Sequence, residues 1–230
     1  MSFDPPQTRG EAVLRQLRAE IIGGALAPGE VLRDAEIAAR LKVSITPVRE
    51  AIAQLAQEGL VEVSPNRWRR VARMTLEEAL ATIDVQFILF GAALERAIPR
   101  MTIGDVDQMR DHLAALRTAV ERNQAATAVE AVGGFFQTPM ALAGNHELTA
   151  LWGLVFGRGQ RFMGLSGASA LWPVWLDGFA RVFAEVERQD PAAAARRVRE
   201  MAAEVDEKTR AASASDIVLG RPSENAGDPA

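Results

Sequence analysis

The chain has 230 residues, of which 48% are hydrophobic and 24% charged, and its formal net charge is −4. This balance is typical of a folded, soluble protein of one or two domains and excludes a disordered chain. The sequence contains no cysteine and only two histidines, which excludes disulfides, thiolate metal sites, a cysteine nucleophile and any site built from three histidines.

Neither a membrane span nor a signal peptide is expected. The longest stretches without a formally charged residue are 131–146 and 162–176, and both are shorter than the roughly 20 apolar residues that a span needs. The N-terminus lacks an apolar run behind a basic start. Together with the absence of cysteine, these features predict a cytoplasmic location.

The charge is unevenly distributed along the chain. Residues 1–74 contain 11 Lys and Arg against 9 Asp and Glu, a net charge of +2, whereas the remainder has a net charge of −6. The N-terminal part is therefore mildly basic, and the rest of the chain is acidic. This asymmetry is compatible with a nucleic-acid partner for the N-terminal part, whereas the net charge of the whole chain alone would disfavour such a partner.

Two short helices are predicted after a polar, proline-bearing leader at residues 1–7. Thr8 and Glu11 form a capping-box pattern, in which each side chain can bind a free backbone N–H group at the start of a helix. Apolar residues at helical spacing follow until Gly23, which ends the helix. A second helix begins near Asp34.

A third helix and a β-hairpin complete the first part of the chain. Thr46 and Pro47 are predicted to be the N-cap and the first helical residue, and Gly59 ends this helix. Short β-branched runs at 60–63 and 67–71, separated by turn residues, predict a hairpin. Three helices followed by a hairpin form the winged helix-turn-helix layout.

We expect this domain, residues 8–74, to contact DNA through the start of its third helix and through the hairpin. In a helix-turn-helix the N-terminal residues of the second helix face base edges. Hydroxyls there can bind phosphates, and Arg49 can reach a phosphate or a guanine edge. Arginines of the hairpin, the wing, can follow the phosphate backbone or enter the minor groove, while Trp68 stacks on a sugar or packs back onto the domain. The alternative is a solvated helix end and a basic, solvated hairpin. The candidate DNA-binding residues are Arg33, Ser44, Thr46, Arg49, Arg67, Trp68, Arg69 and Arg70.

From Thr75 to about residue 212 the sequence predicts six helices. Start signals recur along this part, and the connections are only a few residues long, which predicts a compact antiparallel bundle. The predicted helices cover about 75–100, 102–122, 124–143, 145–165, 168–189 and 190–212. The small, polar residues 213–230 are predicted to form a flexible tail.

At this level of detail the sequence resembles a known family. The segments ALAPGEVL, VSITPVREA and LAQEGLV make residues 10–73 similar to the DNA-binding domain of the GntR family of bacterial transcriptional regulators. Residues 75–212 resemble the FadR-type (FCD) ligand-sensing domain through ALERAIPRMT, ALAGN and the Gln189-Asp190 turn. The resemblance implies a mainly α fold, with an N-terminal winged helix-turn-helix and a C-terminal all-α antiparallel bundle. It also implies a homodimer whose affinity for a palindromic double-stranded DNA operator is modulated by a small-molecule effector, most often as a repressor.

Three positions depart from the family pattern. The family usually has arginine at the positions of Ala35 and Ile45, and glycine at the position of Trp68. Two customary DNA-contacting arginines are therefore missing, and the extra arginines of the wing are candidates to compensate. This departure affects the operator sequence that is expected more than DNA binding itself.

Many FCD domains hold a divalent metal through one aspartate and three histidines, but the matching positions do not carry them here. Counted from Asn145 and Asp190, those positions are occupied by Val132, Phe136, Phe179 and Met201. None of these side chains can bind such a metal, so the resemblance implies neither a metal nor another cofactor for this chain. The two histidines, His112 and His146, are expected to be solvated.

The same positions suggest an apolar effector pocket. Val132, Phe136 and Met140 repeat every four residues and form one stripe facing the bundle. If a cavity lies there, the effector is mainly hydrophobic, such as a fatty or aromatic acid or its thioester, and two arginines of the fourth bundle helix are candidates to bind its head group. The alternatives are a plain core and solvated arginines. The candidate pocket residues are Val132, Phe136, Met140, Arg158, Arg161, Phe179 and Met201.

Two other functions remain open at this point. One is a helical protein-interaction module, derived from a regulator, that has lost operator recognition, an alternative that Ala35 and Ile45 keep open. The other is a small helical enzyme. The sequence shows no glycine-rich phosphate loop and no nucleophile–base arrangement, although carboxylates distant in sequence can still meet in space.

Overall fold

The computed structural model describes residues 8–64, 67–165 and 171–213. Within these ranges the chain forms nine α-helices, one short 3-10 turn and a two-stranded sheet. The elements are α1 (Arg9–Ile22), α2 (Asp34–Leu41), α3 (Ile45–Gln57), β1 (Val61–Ser64), β2 (Trp68–Val71), α4 (Leu76–Ala97), the 3-10 turn Ile98–Arg100, α5 (Ile103–Glu121), α6 (Ala125–Leu142), α7 (His146–Leu165), α8 (Trp172–Glu187) and α9 (Pro191–Ser213). Four predicted features lie outside the described residues: the leader 1–7, the turn residues 65–66, the start of the fifth bundle helix near Ala168 and the tail beyond 213.

The first three helices and the hairpin share one apolar core. Leu17 and Ile21 of α1 are fully buried against Ile52 and Leu55 of α3, as their helical spacing predicts. Strands β1 and β2 pair in antiparallel register, with Val61 opposite Val71. The segment before α2 pairs with the outer edge of β2, where the Leu32 N–H donates to the Arg69 carbonyl at 2.8 Å. The predicted winged helix-turn-helix is thus confirmed.

Helix α3 begins two residues earlier than the sequence predicts. Its N-cap is Ser44 and its first residue is Ile45, so the prediction of Thr46 as N-cap and Pro47 as first residue is wrong. Pro47 is tolerated in the first turn because the first four N–H groups of a helix have no partner within it. The shift places both hydroxyls, those of Ser44 and Thr46, at the exposed start of the helix.

Helix α3 ends in a Schellman motif at Gly59. The Gly59 N–H donates to the Ala56 carbonyl at 3.1 Å, and the Leu60 N–H donates to the Leu55 carbonyl at 2.9 Å. Gly59 has a φ of +69°, which other residues adopt only with strain. The predicted end of the helix is therefore confirmed, and the motif turns the chain directly into the wing.

The other six helices form the predicted bundle, and the predicted start signals of α4, α5, α7 and α9 are confirmed. Thr75 with Glu78 forms a capping box for α4, the Asn145 carboxamide oxygen accepts from the Leu148 N–H at the start of α7, and the Asp190 carboxylate accepts from the Ala193 N–H at the start of α9. The bundle has its own core, rich in phenylalanine and tryptophan. Among the described helices, none combines the length and apolar character needed to cross a membrane.

The winged helix-turn-helix domain packs directly on the bundle through α7. A Cβ at Gly157 would lie 3.3 Å from Leu60, and a Cβ at Gly59 would lie 2.9 Å from the Cδ of Arg158. A Cβ at Gly164 would overlap the Ile22 carbonyl oxygen at the end of α1. Glycine at these positions lets the helix backbone approach the other domain closely.

This close approach generates a prediction for two glycines of the same helix. Gly164→Ala should lower the free energy of unfolding by about 1–3 kcal/mol, because the added methyl group overpacks the junction. Gly153→Ala is the matched control, since nothing lies within 4 Å of a Cβ there, and it should raise the free energy of unfolding by up to about 1 kcal/mol through helix propensity alone. Urea unfolding measures both values. If the two variants were equally stable, α7 would not be packed on α1 as described.

Candidate DNA interface and effector site

The start of α3 presents a polar, solvent-exposed surface. Ser44, Thr46 and Arg49 are all exposed, and the Ser44 hydroxyl forms no capping hydrogen bond. The free N–H groups of the helix start lie beside these hydroxyls, so this end of the helix offers several donors to a phosphate. Ile45 is 40% exposed among them and adds an apolar contact at the position where the family usually has arginine.

A single carboxylate joins the helix to the wing. The Arg49 Nε donates to Asp34 at 2.9 Å, and the Arg69 Nη1 donates to the same oxygen at 3.2 Å. The Asp34 side chain is only 10% exposed, whereas much of Arg49 remains in solvent. Asp34 thus holds two predicted DNA-binding arginines, one from α3 and one from β2, at a fixed spacing on one face of the domain. Sequence reasoning identified Asp34 only as the start of α2.

The remaining wing residues are arranged around Trp68 and Glu62. The Arg70 guanidinium lies 4.1 Å from the centre of the Trp68 ring and pairs with Glu62 at 2.7 Å. Although burial raises the pKa of Glu62, hydrogen bonds from the Arg70 side chain and the Arg73 N–H lower it overall. Trp68 is half-buried, and its ring lies against the Arg70 guanidinium of the same strand.

Two predicted residues flank this surface. Arg67 is exposed in the turn between the strands, and Arg33 is exposed before α2, where it pairs with Glu36 at 3.0 Å. The structure therefore brings Arg69 of the wing to the side of the domain that carries the start of α3, with Arg33 next to Asp34 in the chain. Such a surface can bind two stretches of phosphate backbone while α3 approaches the bases. Arg70 instead pairs with Glu62, which lies on the side that faces α4 and α7.

The five apolar residues of the predicted effector pocket lie together in the bundle core. The Phe136 ring centre is 4.6 Å from that of Phe90, 4.9 Å from that of Trp152 and 5.4 Å from that of Phe179. Met201 packs so closely on Gly178 that a Cβ there would lie 2.7 Å from its sulfur. Val132 and Met140 are buried in the same cluster. This packing supports the alternative of a plain core.

Metal binding does not fit these positions. The side chains that take the place of the family's ligands are two phenylalanines, a valine and a methionine, which offer no oxygen or nitrogen. Among the described residues, no three His, Asp or Glu side chains are placed to hold a metal ion together. His146 is exposed beside Glu147, as predicted, but His112 is half-buried, with its ring against the backbone of Gly134, so its solvated state was predicted wrongly.

The two arginines of the predicted pocket lie elsewhere, which corrects their grouping with the apolar residues. On α7, Trp152 and Phe156 face the bundle, where both rings pack on Phe136. Arg158 instead contacts Gly59 of the DNA-binding domain. Arg161 lies one turn further along that side of the helix, between the glycines that touch the other domain. The arginines therefore belong to the domain junction.

Arg161 is also not solvated. Its side chain is 0% exposed, and its three guanidinium nitrogens have no hydrogen-bond partner among the described residues. Burial lowers the pKa of Arg161 to about 10, while the nearby charge of Glu62 acts in the opposite direction. Arg161 is therefore still charged at neutral pH. Because its pKa is lower in the folded state, the buried charge destabilises the fold at neutral pH, and this cost disappears only as the pH rises above about 10.

A cavity of about 470 Å³ lies beside Arg158, at the junction of the two domains. Its walls include Glu62 and Arg73 from the DNA-binding domain, Thr82 from α4 and Arg158 from α7. The Nε of Arg158 is buried and has no hydrogen-bond partner among the described residues. Sequence reasoning missed this cavity because its walls come from segments far apart in the chain, with no shared periodicity.

Comparison with known proteins agrees with this architecture. Residues 9–67 match the family described as bacterial regulatory proteins, gntR family, and residues 70–204 match the FCD domain. The HTH-type transcriptional repressor RspR of Escherichia coli (strain K12) is 30% identical over 122 residues, which cover 53% of this chain and 54% of that protein. The chain therefore spans about half the length of the curated relatives it matches.

Solved structures show the same fold. The E. coli protein McbR/YncC superimposes with a TM-score of 0.78 at 19% sequence identity, over 90% of this chain and 100% of that one. A regulator described as GntR from Rhodococcus sp. RHA1 superimposes with a TM-score of 0.77 at 20% identity, over 90% of this chain and 99% of that one. The arrangement of a winged helix on a helical bundle is therefore shared with solved proteins.

The packing around Phe136 predicts the effect of truncating this ring. Phe136→Ala should lower the free energy of unfolding by about 3–5 kcal/mol, because it removes a ring that contacts several others and leaves a cavity. Ile103→Ala is the control, because Ile103 is 84% exposed, and its effect should stay within about 0.5 kcal/mol. Urea unfolding followed by tryptophan fluorescence gives both values. A loss below about 1 kcal/mol for Phe136→Ala would indicate an open pocket instead of a packed core.

Proposed function

Because the chain belongs to the GntR family of bacterial transcriptional regulators and carries an FCD domain, we propose that it binds a palindromic operator as a homodimer and represses transcription in response to a small-molecule effector. Members of this family are regulators and not enzymes, which removes the alternative of a small helical enzyme. A DNA partner also implies a cytoplasmic location. The observation that carries the proposal is the surface on which Asp34 holds arginines of both α3 and the wing.

On this surface α3 and the wing make different contacts with DNA. Ser44, Thr46 and the N–H groups at the start of α3 bind phosphate oxygens at the edge of the major groove. Arg49 reaches a base edge or a phosphate, and Arg69 reaches the backbone beside it. Their shared bond to Asp34 fixes the distance between the two contacts before DNA arrives, which reduces the entropy lost on binding.

Ile45 and the wing argue for an altered operator rather than for lost DNA recognition. An apolar side chain at the start of α3 can contact the methyl group of thymine, whereas the arginine usual in the family would favour guanine. Arg67, Arg69 and Arg70 supply positive charge on the wing. If the chain were a protein-interaction module instead, no duplex sequence would be enriched when random DNA is selected for binding.

Dimer formation is supported by exposed apolar residues on the bundle. Val85 and Ile88 of α4 and Leu151 and Leu154 of α7 are exposed on neighbouring helices. Clusters of this kind mark interaction surfaces. A single winged helix contacts few base pairs, so two copies related by a two-fold axis are needed to read a palindrome.

The effector is proposed to be an apolar acid or its thioester, in line with the apolar residues at the positions of the family's metal site. The packing around Phe136 means that such a ligand would have to displace aromatic rings to enter the bundle core. Its acidic head group also needs a cation, and the two candidates, Arg158 and Arg161, lie at the domain junction. The junction is therefore the better-supported place for the head group.

Arg49 provides the direct test of the DNA surface. Arg49→Ala should weaken binding to a selected operator by about 1–3 kcal/mol if the side chain contacts a base, or reduce the salt dependence of binding by about one ion if it contacts a phosphate. Fluorescence anisotropy at several salt concentrations measures both quantities. Unchanged affinity together with an unchanged salt dependence would remove Arg49 from the interface.

Two controls accompany this variant. Arg96→Ala removes an exposed arginine from the bundle, far from α3 in the chain, and should leave operator affinity unchanged. Sedimentation should give about twice 24.9 kDa for the wild type and for both variants, which shows that assembly is intact. A monomer that bound the palindrome tightly would contradict the proposed assembly.

A further inference from the structure

We propose that Arg161 is the anchor of a carboxylate-binding site at the junction between the DNA-binding domain and the bundle. The proposal deepens the proposed function, since it names the chemical class of the effector's binding group and the place where it binds. It starts from an unsatisfied group: a guanidinium with 0% exposure and no hydrogen-bond partner among the described residues.

An unpaired charge in this position is expensive for the fold. Removing a guanidinium from water without supplying a partner is among the most unfavourable changes in a protein interior, and structures normally avoid it by pairing the charge. Glu62 is the acidic group whose charge affects Arg161, but its carboxylate already binds the Arg70 side chain and the Arg73 N–H. The missing partner must therefore come from outside the described residues.

Space for such a partner lies next to Arg158, one turn from Arg161 on the same helix. Arg158 lies one turn away on the same side of α7, borders the cavity of about 470 Å³ and has a buried Nε without a partner among the described residues. Glu62 borders the same cavity and acts electrostatically on Arg161, which does not itself line the cavity. Arg158, with one unsatisfied nitrogen, thus borders a space that is large enough for a small organic acid. The fully buried Arg161 lies one turn away behind this wall, so a carboxylate reaches it only when the wall opens.

The chemistry of the site favours a carboxylate carried by a small organic molecule. A guanidinium presents parallel N–H donors that match the two oxygens of a carboxylate. One monoanion neutralises the buried charge of Arg161, whereas a phosphate dianion would bury an additional negative charge close to Glu62. The apolar lining that Met74, Val85 and Val155 give the cavity suits the carbon chain of the acid.

The position of the site gives it a regulatory role. Its walls come from both the wing-bearing domain and the bundle, so a ligand bound there favours one relative placement of the two. A second arrangement of the domains would then bind the acid less tightly and position α3 and the wing differently on DNA.

The test uses the full chain and thermal unfolding at constant ionic strength. Chloride is replaced in steps by acetate, by hexanoate or by inorganic phosphate. The wild type should show a saturable rise in melting temperature with the carboxylates, largest for hexanoate. Arg161→Met should show none, because it removes the anchor but keeps much of the volume. In chloride, Arg161→Met should melt about 3 °C or more above the wild type, since it removes an unpaired buried charge.

Exposed Arg96 supplies the matched control, because Arg96→Met should keep the full response to carboxylates. A lower melting temperature for Arg161→Met in chloride would show that Arg161 is already satisfied, and a carboxylate response retained in that variant would place the site elsewhere. A saturable response to phosphate alone would overturn the assignment to carboxylates. A wild type that binds its operator but ignores every carboxylate would overturn this inference alone, whereas failure to select any operator would overturn the proposed function.

Discussion

The packing of α7 between the two domains is the constraint on which the rest of the structure depends. On one side its aromatic residues join the ring cluster around Phe136. On the other side its glycines allow the helix backbone to approach Ile22 and Leu60 of the DNA-binding domain. Because both contacts involve the same helix, any shift of the bundle core is transmitted to the domain that carries α3 and the wing. The burial of Arg161 follows from the same packing, since the junction closes over that side of α7.

The buried charge makes sense as a functional feature and not as a stabilising one. Natural proteins retain locally unfavourable groups mainly at sites where function needs them. An apolar residue in place of Arg161 would pack in the junction without needing a hydrogen-bond partner. The guanidinium of arginine, in contrast, needs an anion to pair with its buried charge. A ligand of opposite charge that pairs with this group should therefore stabilise the folded protein. The proposed DNA surface follows a related design, in which Asp34 holds Arg49 and Arg69 in place in the free protein.

Much of the fold could be predicted from sequence because its signals are local. Capping boxes, the Gly59 helix end and the alternation of the hairpin depend on residues a few positions apart, and all of them are present in the structure. The start of α3 was misplaced by two residues, because Ser44 and Thr46 are both good N-caps and Pro47 is acceptable at either position. The candidate DNA-binding residues were chosen from their place on these elements, and their role stays a prediction.

The parts that sequence could not supply depend on contacts between distant segments. Nothing near Asp34 indicates that arginines 15 and 35 residues later will bind it. Arg158 and Arg161 have the spacing of a solvated helix face, and only the close approach through neighbouring glycines buries Arg161. The effector pocket was predicted as one site because its residues were located from their positions along the helices. Such positions do not reveal that the aromatic residues of α7 face the bundle core while its arginines face the winged helix-turn-helix domain.

Occupancy of the domain junction and DNA binding are proposed to be coupled, and a linkage measurement can detect this coupling. Operator affinity is measured at constant ionic strength in chloride and in hexanoate, for the wild type and for Arg161→Met. Hexanoate should change wild-type operator affinity by about fivefold or more, operator DNA should change hexanoate affinity by the same factor, and Arg161→Met should show neither effect. Hexanoate that binds the wild type but leaves its operator affinity unchanged would show that the two sites are not coupled.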